Sequence, residues 1–269
     1  MNGVITLTTD FGTDSPYVAA MKGVILSLNP QAGIIDLSHQ IPPQDVRYAS
    51  FFLGACIPYF PPEAIHIVVV DPGVGTSRAL LYVEIDGHRI LAPDNGCWTG
   101  LMQKSSKPTT IIRLTESRFW RQPVSSTYHG RDILAPVAGH LSLGEDPRNL
   151  GVPLEKWVRF DFKSPIIEDA LIAGEVIFID HFGNLITNIP GPDFDRFSKQ
   201  PVRITVGDQL VTRRVEAYAE ADAGTPVALI SSMDILEVAV TNGNAAKKLG
   251  AGVGTAVSVQ VISHSRPDA

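Results

Sequence analysis

The sequence predicts an α/β fold in which an N-terminal α/β sheet domain is followed by a smaller all-β domain of barrel or sandwich type. Three features lead to this prediction. The first half alternates short β-rich runs with helical periodicity, which is the pattern of α/β proteins. The run Ile65 to Val70 is almost wholly apolar and β-branched, as in a central strand covered on both faces. From about Lys163 onward, short strands separated by turn residues are expected.

Local signals place each element of the first domain. In chain order we expect a strand Val4–Thr9, a helix Pro16–Leu28, a strand Gly33–Leu37, a helix Asp45–Cys56, the strand Ile65–Val70, a hairpin of Ala79–Ile85 and Arg89–Ala92, and a helix Asp132–Leu143. Ser15 is expected to cap the first helix, because a serine hydroxyl can accept from free helix amides. Pro16 suits the first helical position. Asn29-Pro30 ends this helix, and Asp86-Gly87 forms the turn of the hairpin.

The second domain is predicted from short runs of β-forming residues with no long amphipathic helix between them. The expected strands are Leu171–Ile179, Val202–Val206, Val227–Ile230, Ile235–Val240 and Ala256–Ile262. A boundary is expected between Asp161 and Glu168, so that residues 1–162 form the first domain and residues 168–265 the second.

Composition narrows the class of protein. With 269 residues, of which 44% are hydrophobic and 19% charged, the chain is long enough to bury a large core. Its net charge of −6 gives no attraction to nucleic acid or anionic membranes, so neither is expected as a partner. Two cysteines, Cys56 and Cys97, form no disulfide framework, and the first residues lack a secretory pattern. No run approaches the roughly 18 apolar residues of a membrane span, and a cytoplasmic location is expected.

Familiar nucleotide motifs are missing. Gly73-Val74-Gly75-Thr76-Ser77 has no P-loop lysine, and no Gly-x-Gly-x-x-Gly sequence opens a helix. A P-loop enzyme and a Rossmann-type methyltransferase are therefore not expected. Asp10-Phe11-Gly12 and His129-Gly130-Arg131-Asp132 occur in the reverse of the kinase order, without the glycine-rich loop and strand lysine, so a kinase is excluded.

Polar residues follow the predicted apolar strands. Asp10, the pair Asp71 and Arg78, and His129 lie in three glycine-containing loops, and Asp180 follows another apolar run. Because open α/β sheets bind ligands at the carboxyl ends of their strands, these residues are candidates for a site. Taken singly, a turn-capping or salt-bridging role is the simpler interpretation of each.

Six motifs follow one another along nearly the whole chain. They are Thr9-Asp10-Phe11-Gly12, Asp71-Pro72-Gly73-Val74-Gly75 with Arg78, Ala92-Pro93-Asp94-Asn95-Gly96, Tyr128-His129-Gly130-Arg131-Asp132, Asp180-His181-Phe182-Gly183-Asn184, and Leu236-Glu237-Val238-Ala239-Val240 before Asn242-Gly243-Asn244-Ala245-Ala246. In this order they resemble the family of S-adenosylmethionine hydrolases that use hydroxide, which are relatives of fluorinating and chlorinating enzymes.

The resemblance implies hydrolysis of S-adenosylmethionine to adenosine and methionine by displacement at the ribose 5′ carbon, with Asp71, Arg78 and His129 acting on the attacking water. Methionine leaves a sulfonium as a neutral thioether, so the leaving group needs no general acid, and the site must chiefly orient a nucleophile. We expect Arg78 to favour hydroxide by its charge and to fix Asp71. We expect His129 to handle the proton and Asp71 to orient His129 or the water.

The resemblance also implies ligand contacts and an assembly. The implied contacts are Asp10 with the ribose hydroxyls, Asp180 with the methionine amino group, Ser232 with its carboxylate, Phe182 and Asn184 with the adenosine, and Glu237 and Val240 with the base or the amino-acid moiety. The segment 231–234 departs from the small-residue turn expected there. No cofactor or metal is expected. The implied assembly is a homotrimer in which the first domain of one subunit and the second domain of its neighbour enclose the ligand.

Three other interpretations stay open. The ligand contacts would serve equally in a binding module that holds S-adenosylmethionine or adenosine without turnover. His39, Asp71, His129 and Asp132 are residue types found in metallohydrolases, although no closely spaced histidine pair occurs. A halide-using enzyme is the third. Asp71, Arg78 and His129 instead match the hydroxide branch, and the hairpin at Asp86-Gly87 lacks the extra loop of the fluorinating relatives.

Overall fold

The computed structural model describes residues 3–102 and 110–262, which form a mixed α/β protein with two large β-sheets. The chain divides into two compact units, Met1–Phe160 (unit 1) and Asp161–Ala269 (unit 2). Residues 263–265, with which the predicted second domain ends, lie outside the described residues. No helix in the described ranges has the length and apolar character needed to span a bilayer.

Unit 1 alternates strands and helices along the chain. Its elements are β1 (Val4–Thr9), α1 (Tyr17–Leu28), β2 (Gly33–Ser38), α2 (Val46–Cys56), β3 (Ile65–Val69), β4 (Leu80–Ile85), β5 (His88–Pro93), α3 (Thr99–Met102), β6 (Thr110–Leu114), α4 (Ala135–Ser142) and β7 (Gly151–Pro153). The sheet order is β2-β1-β3-β5-β4-β6-β7. Strands β2, β1, β3 and β5 are parallel neighbours, and the remaining pairs are antiparallel. Sequence patterns predicted β1 to β5, but not the short α3, β6 and β7.

Helices cover both faces of this sheet, and the alternation of the central strand explains how. Ile65, Ile67 and Val69 pack in one core cluster with residues of α1 and α4. Val68 and Val70 point the other way and pack with residues of α2 and α3. A strand buried on both faces needs apolar residues at nearly every position, which is the pattern that this run shows.

The start of α1 differs from the expectation. Ser15 does not cap the helix, which has Pro16 at its N-cap and no side-chain cap. The hydroxyl of Ser15 donates instead to the carbonyl oxygen of Phe11 at 2.9 Å. Ser15 therefore closes the loop that follows β1 and makes no capping hydrogen bond to the helix amides.

The helix expected at Asp132–Leu143 begins earlier and in two parts. A π-helical turn spans Gly130–Leu134, and α4 continues from Ala135. Pro136 contributes to this break, because it has no N–H to donate to the carbonyl oxygen of Asp132. That oxygen accepts instead from the backbone N–H of Arg121 at 2.8 Å. π-Helical turns are rare and often lie at functional sites, and this one begins directly after His129.

Unit 2 consists mainly of strands. Its elements are β8 (Ile166–Ile167), β9 (Leu171–Ile179), β10 (Leu185–Pro190), α5 (Gly191–Asp195), β11 (Val202–Val206), β12 (Gln209–Val211), β13 (Arg213–Arg214), β14 (Pro226–Ile230), β15 (Ile235–Val240), α6 (Ala245–Leu249) and β16 (Ala256–Val261). The strand order is β12-β11-β16-β9-β10-β15-β14-β13, and β8 pairs with β9. All five predicted strands occur. Strand β10 was not predicted, although it pairs with both β9 and β15.

Buried polar groups form a chain across the sheet of unit 1. Nδ1 of His66 lies 2.8 Å from the hydroxyl oxygen of Thr6, and its Nε2 lies 3.3 Å from Nδ1 of His88. Burial, and then the neighbouring His88, lower the pKa of His66 to about 3. Burial lowers the pKa of His88 as well, against a smaller effect of Asp86. Both imidazoles are therefore neutral at pH 7.

We predict that this pair makes the folded state sensitive to acid. Each pKa is lower in the folded chain than the value of about 6.5 in an unfolded chain, so the unfolded state binds more protons below that pH. The stabilising effect of a neutral His66 should be complete above pH 6.5. It should be lost toward pH 3 by up to about 1.4 kcal/mol per pH unit.

Urea unfolding at pH 7.5 and pH 5 measures this effect. His66→Gln should lose less stability between the two pH values than the wild type, because it removes one titrating group. His181→Gln, which changes an exposed histidine, should behave like the wild type. Equal losses for His66→Gln and the wild type would contradict the prediction.

Candidate active site

Parallel strand pairing brings two loop starts of unit 1 together. Thr9 of β1 lies opposite Val69 of β3, so Asp10 and Asp71 follow neighbouring strands at the same edge of the sheet. Arg78 lies in the loop that leads from Asp71 to β4, and His129 directly precedes the π-helical turn. The carboxyl-end loops of this sheet therefore carry the predicted polar residues of unit 1.

Asp71, Arg78 and His129, termed the triad, are in direct contact. Nε of Arg78 donates to both carboxylate oxygens of Asp71 at 2.8 Å. Nη2 of Arg78 donates to Oδ2 of Asp71 and, at 2.9 Å, to Nδ1 of His129. The side chains of Asp71 and Arg78 are only 6% and 10% exposed. A bidentate ion pair so protected from water holds a defined geometry.

The contact with Arg78 decides the hydrogen-bonding role of His129. A guanidinium can only donate, so Nδ1 of His129 accepts, and the proton of the neutral ring lies on Nε2. Partial burial, and then the charge of Arg78, lower the pKa of His129 below its usual range, while Asp71 and Asp132 act in the opposite direction. The ring is therefore uncharged at pH 7 and offers one N–H donor.

The loops that carry the triad are closely packed. A Cβ atom on Gly75, where φ is 82°, would lie 2.6 Å from the carbonyl oxygen of Ser126. Only glycine allows both the positive φ and this approach of the two loops. The side-chain amide of Asn95 donates to the carbonyl oxygen of Val70 at 2.9 Å. Asn95 thereby ties the end of β5 to the residue before Asp71.

Asp10 is half-buried in the loop after β1. Its Oδ2 accepts from the backbone N–H of Gln44 at 2.8 Å, which leaves Oδ1 without a partner among the described residues. The loop is held by His39, whose carbonyl oxygen accepts from the N–H of Gly12 at 2.8 Å and whose Nδ1 lies 2.9 Å from Oγ1 of Thr9. Asp10 therefore presents one free carboxylate oxygen from a fixed loop.

A second group of predicted residues lies in unit 2 and begins where β9 ends. The carboxylate of Asp180 accepts from the backbone N–H of Asn184 at 2.8 Å and from its side-chain amide at 2.9 Å. Gly183 has a φ of 87°, and the side chain of Asn244 packs against it. These hydrogen bonds form the Asp/Asn-stabilised turn that is the simpler interpretation of this motif, and the turn also orients Asp180.

Glu237 on β15 is the deeply buried carboxylate of this group, with 4% of its surface exposed. Its Oε1 accepts from the hydroxyl of Tyr218 at 2.6 Å. Burial raises the pKa of Glu237, the hydrogen bond from Tyr218 lowers it, and the charge of Asp180 raises it again. No cation among the described residues pairs with the carboxyl group of Asp180 or Glu237.

The other predicted contacts of unit 2 differ in exposure. Phe182 is 72% exposed, so its ring is free to stack. Ser232 is exposed in the turn between β14 and β15, where Asp234 has a φ of 59°. Val240 is buried, and a Cβ on Gly243 would lie 2.6 Å from its Cγ1, so only its backbone is a candidate for ligand contact.

Sequence reasoning did not single out Tyr218, and it quoted Asn244 within a motif without assigning it a role. Nothing in the sequence around Tyr218 distinguishes it, because its partner Glu237 lies 19 residues away on another element. Asn244 did carry a signal, since it directly precedes an alanine-rich helical segment. Its side chain accepts from the N–H of Lys247 at 2.8 Å as the N-cap of α6.

The residues considered as metal ligands do not form a cluster. Asp71 is paired with Arg78, and Asp132 is paired with Arg131 and Arg121. His39 is bonded to Thr9, as described above. In residues 3–102 and 110–262, no three histidine, cysteine or acidic side chains are arranged to hold a metal ion.

The mixed sheet of unit 1, with a guanidinium–carboxylate pair and a neutral imidazole in the loops at the carboxyl ends of its parallel strands, indicates an α/β enzyme. Comparison with protein families identifies which one. The model of the SAM hydroxide adenosyltransferase N-terminal domain matches residues 5–151, and that of the C-terminal domain matches residues 174–258. The chain belongs to the SAM hydroxide adenosyltransferase family, and the resemblance found in the sequence is confirmed.

Individual relatives agree with this assignment. The chain is 37% identical over 252 residues to the (R)-S-adenosyl-L-methionine hydrolase of Thermus thermophilus, covering 90% of this chain and 93% of that protein. It is 36% identical over 259 residues to the enzyme of the same name from Methanocaldococcus jannaschii, covering 91% of each. A fluorinase of Nocardia brasiliensis is 26% identical, with 96% and 97% covered. The crystal structure of an uncharacterized protein from Thermotoga maritima has a TM-score of 0.89 at 34% identity, covering 96% of this chain and 99% of that one.

We predict that Gly75→Ala separates the two triad loops. The new methyl group would meet the carbonyl oxygen of Ser126, and backbone atoms cannot move aside as side chains do. The NMR signal of the His129 imidazole should therefore change. Gly144→Ala is the matched control, because Gly144 has a φ of 95° but open space around its Cα.

Gly144→Ala should lose roughly 1–2 kcal/mol of stability in thermal or urea unfolding, the cost of a left-handed conformation, and Gly75→Ala should lose more because of its additional clash. Gly75→Ala alone should shift the His129 signal. Equal spectra for the two variants would show that the glycine is not needed for loop packing.

Proposed function

We propose that this enzyme hydrolyses S-adenosyl-L-methionine to adenosine and L-methionine by displacement at the ribose 5′ carbon. The observation that carries the proposal is the triad, in which a neutral imidazole presents its N–H beside a protected guanidinium–carboxylate pair. Relatives named (R)-S-adenosyl-L-methionine hydrolase, which are 31–37% identical over at least nine-tenths of this chain, support it.

The nucleophile in this proposal is hydroxide, formed when a water loses its proton to solvent. When its oxygen attacks the 5′ carbon, the carbon–sulfur bond breaks and the electron pair stays on sulfur. Hydroxide and a sulfonium cation thereby give an alcohol and a thioether, and the leaving group needs no proton. The charge of Arg78 favours hydroxide over water.

We assign His129 the task of orienting this hydroxide through Nε2–H. The expectation that His129 takes the proton is less compatible with the geometry, because its acceptor atom, Nδ1, is engaged by Arg78. Asp71 then fixes Arg78, which in turn fixes the ring. Alignment of a small nucleophile is worth several kcal/mol of the barrier, so this positioning is a sufficient role.

The remaining site residues are proposed to bind the substrate. Asp10 would accept from the ribose hydroxyls through its free oxygen, and Asp180 from the methionine ammonium group. The carboxylate of Asp180, which pairs with no cation among the described residues, supports binding of a cationic ligand. The further proposed contacts are Phe182 stacking on the adenosine, Asn184 beside it, Ser232 at the carboxylate, and Glu237 and the Val240 backbone at the base or amino-acid moiety.

We further propose a cytoplasmic homotrimer that uses no cofactor, with residues 1–162 as the α/β domain and 168–265 as the all-β domain. The division of the chain at residue 160 and the short helices of unit 2 support the two-domain organisation. The ligand would be enclosed by the first domain of one subunit and the second domain of its neighbour. A fully active monomer in sedimentation would refute the shared site.

The proposed function is tested by incubating the purified protein with S-adenosylmethionine in oxygen-18 water, with and without chloride. Mass spectrometry should find adenosine carrying one heavy oxygen, together with unlabelled methionine. Tightly bound but intact substrate would instead indicate a binding module. A chlorinated nucleoside in the chloride sample would indicate a halide-using enzyme. Activity that is lost in a chelator and restored by a metal ion would indicate a metallohydrolase.

Substitutions at the triad separate catalysis from binding. His129→Ala should lower kcat about 10²-fold through loss of nucleophile alignment, whereas His129→Gln, which keeps an N–H donor, should retain more activity. The affinity for S-adenosylmethionine should change little in either variant, because the side chain of His129 is not assigned to substrate binding. His140→Gln is the control. Equal activity of the alanine and glutamine variants would contradict the donor role.

The pH dependence follows from the lowered pKa of His129. Protonation puts a hydrogen on Nδ1, which then faces Arg78, so the active form is the neutral ring present above the pKa. Hydroxide formation alone makes the rate rise with pH, and protonation of His129 should add a further fall in acid with a midpoint below the usual value of about 6.5. This additional fall should be absent in His129→Gln. A midpoint above 6.5 in the wild type would exclude this assignment.

A further inference from the structure

Asp132 is a fully buried carboxylate to which the proposed reaction assigns no role. Its Oδ1 accepts from Nε of Arg131 at 2.7 Å and from Nη1 of Arg121 at 3.2 Å. Its Oδ2 accepts from Nη2 of Arg131 at 2.8 Å and from the backbone N–H of Ser125 at 2.9 Å. Burial raises the pKa of Asp132, but these donors outweigh burial and the pKa is lowered. Asp132 is therefore an ionised group that connects its own segment to the segment of Arg121 and Ser125 through hydrogen bonds.

Arg131 joins Asp132 to the residue on the other side of His129. Its guanidinium lies 4.9 Å from the ring centre of Tyr128. That ring packs edge-on against Phe11 and Tyr17, with centroid distances of 5.9 and 5.2 Å. The hydroxyl of Tyr128 donates to the carbonyl oxygen of Tyr17. Tyr128 is thereby anchored to the first turn of α1.

His129 lies between these two anchors at a weak point of the backbone. The π-helical turn begins at the next residue, and Pro136 removes a helical hydrogen bond there. The backbone N–H of Asp132 donates to the carbonyl oxygen of Tyr128 at 3.2 Å, which closes a loop around His129. The side-chain contacts of Tyr128, Arg131 and Asp132 thus supply the rigidity that regular helix geometry does not.

We propose that Tyr128, Arg131, Asp132 and Arg121 form a clamp of positioning residues that holds the His129 imidazole against Arg78. None of the four is assigned a contact with the reacting atoms. The consequence for turnover rests on the proposed function, whereas the consequence for the environment of His129 does not.

The charges around His129 make the clamp measurable. The titratable groups near the ring come from four segments. The loop after β3 contributes Arg78 and Asp71, and the segment of His129 itself contributes Tyr128, Arg131 and Asp132. Arg121 lies on the preceding segment, and Tyr17 lies on α1. Asp132 raises the pKa of His129, so its neutralisation should lower that pKa further. Removing the charge of Arg121 leaves Asp132 less compensated and should raise it.

The experiment is an NMR titration of the His129 imidazole in Asp132→Asn and Arg121→Gln, with the signal assigned by its loss in His129→Gln. The two midpoints should move in opposite directions from the wild type. In the same variants kcat should fall about ten- to a hundredfold for Asp132→Asn, and less for Arg121→Gln, while KM changes less than about twofold. Arg148→Gln is the control, because Arg148 also pairs with an aspartate, Asp146, but its side chain is 86% exposed.

Asp132→Asn is at risk of misfolding, since the residue is fully buried. The test then depends on two milder variants. Arg121→Gln changes a side chain that is 46% exposed, and Tyr128→Phe removes only one hydroxyl. Tyr128→Phe should lower kcat with little change in the midpoint, because no charge is lost. The clamp is refuted if Arg121→Gln leaves the midpoint unmoved, if both charge variants move it in the same direction, or if Tyr128→Phe keeps full kcat.

The two proposals fail separately. A wild type that does not hydrolyse S-adenosylmethionine, with midpoints that move as described, would remove the proposed function and keep the clamp. An active wild type with unmoved midpoints would keep the function and remove the clamp.

Discussion

The ion pair between Asp71 and Arg78 is almost shielded from water, and the arrangement of the other site groups in unit 1 follows from it. Removing two charges from water is costly, and the cost is offset only when the geometry satisfies both groups. Asp71 uses both oxygens on Arg78, and Arg78 uses its spare Nη2 hydrogen on His129. Loss of either partner would leave a buried charge, at a cost of about 3–5 kcal/mol. The same pair therefore serves the stability of the loop and the orientation of the imidazole.

A division of charge between the two units suits the proposed substrate. Unit 1 presents a triad that is electrically balanced when His129 is neutral, and in unit 2 the carboxylate of Asp180 pairs with no cation among the described residues. In the proposed reaction the sulfonium is positive before the displacement and neutral afterward. Attraction between the ligand and the carboxylates is therefore weaker for the products than for the substrate, which favours release.

Sequence patterns located most of the fold because they depend on local periodicity. The apolar run of β3, the β4–β5 hairpin with positive φ at Asp86 and Gly87, and the strands β9, β11 and β15 were all predictable. The failures occurred where a partner outside the helix takes part in a hydrogen bond that a local signal would assign to the helix. The hydroxyl of Ser15 donates to the carbonyl oxygen of Phe11 and does not cap α1. The backbone N–H of Arg121 donates to the carbonyl oxygen of Asp132 at the π-helical turn.

By itself, the sequence determined which residues follow the strands, because strand ends are marked by the change from apolar to glycine-containing segments. Its motifs also determined the family. Only the tertiary structure decided how the chemical groups act, because their contacts join positions far apart in the chain. Arg78 and His129 are 51 residues apart, and their contact selects the tautomer of the ring. Arg121 and Asp132 meet across a loop, and Tyr218 reaches Glu237 from another element. Which group donates and which accepts in a hydrogen bond depends on both partners, and their proximity is set only by the tertiary structure.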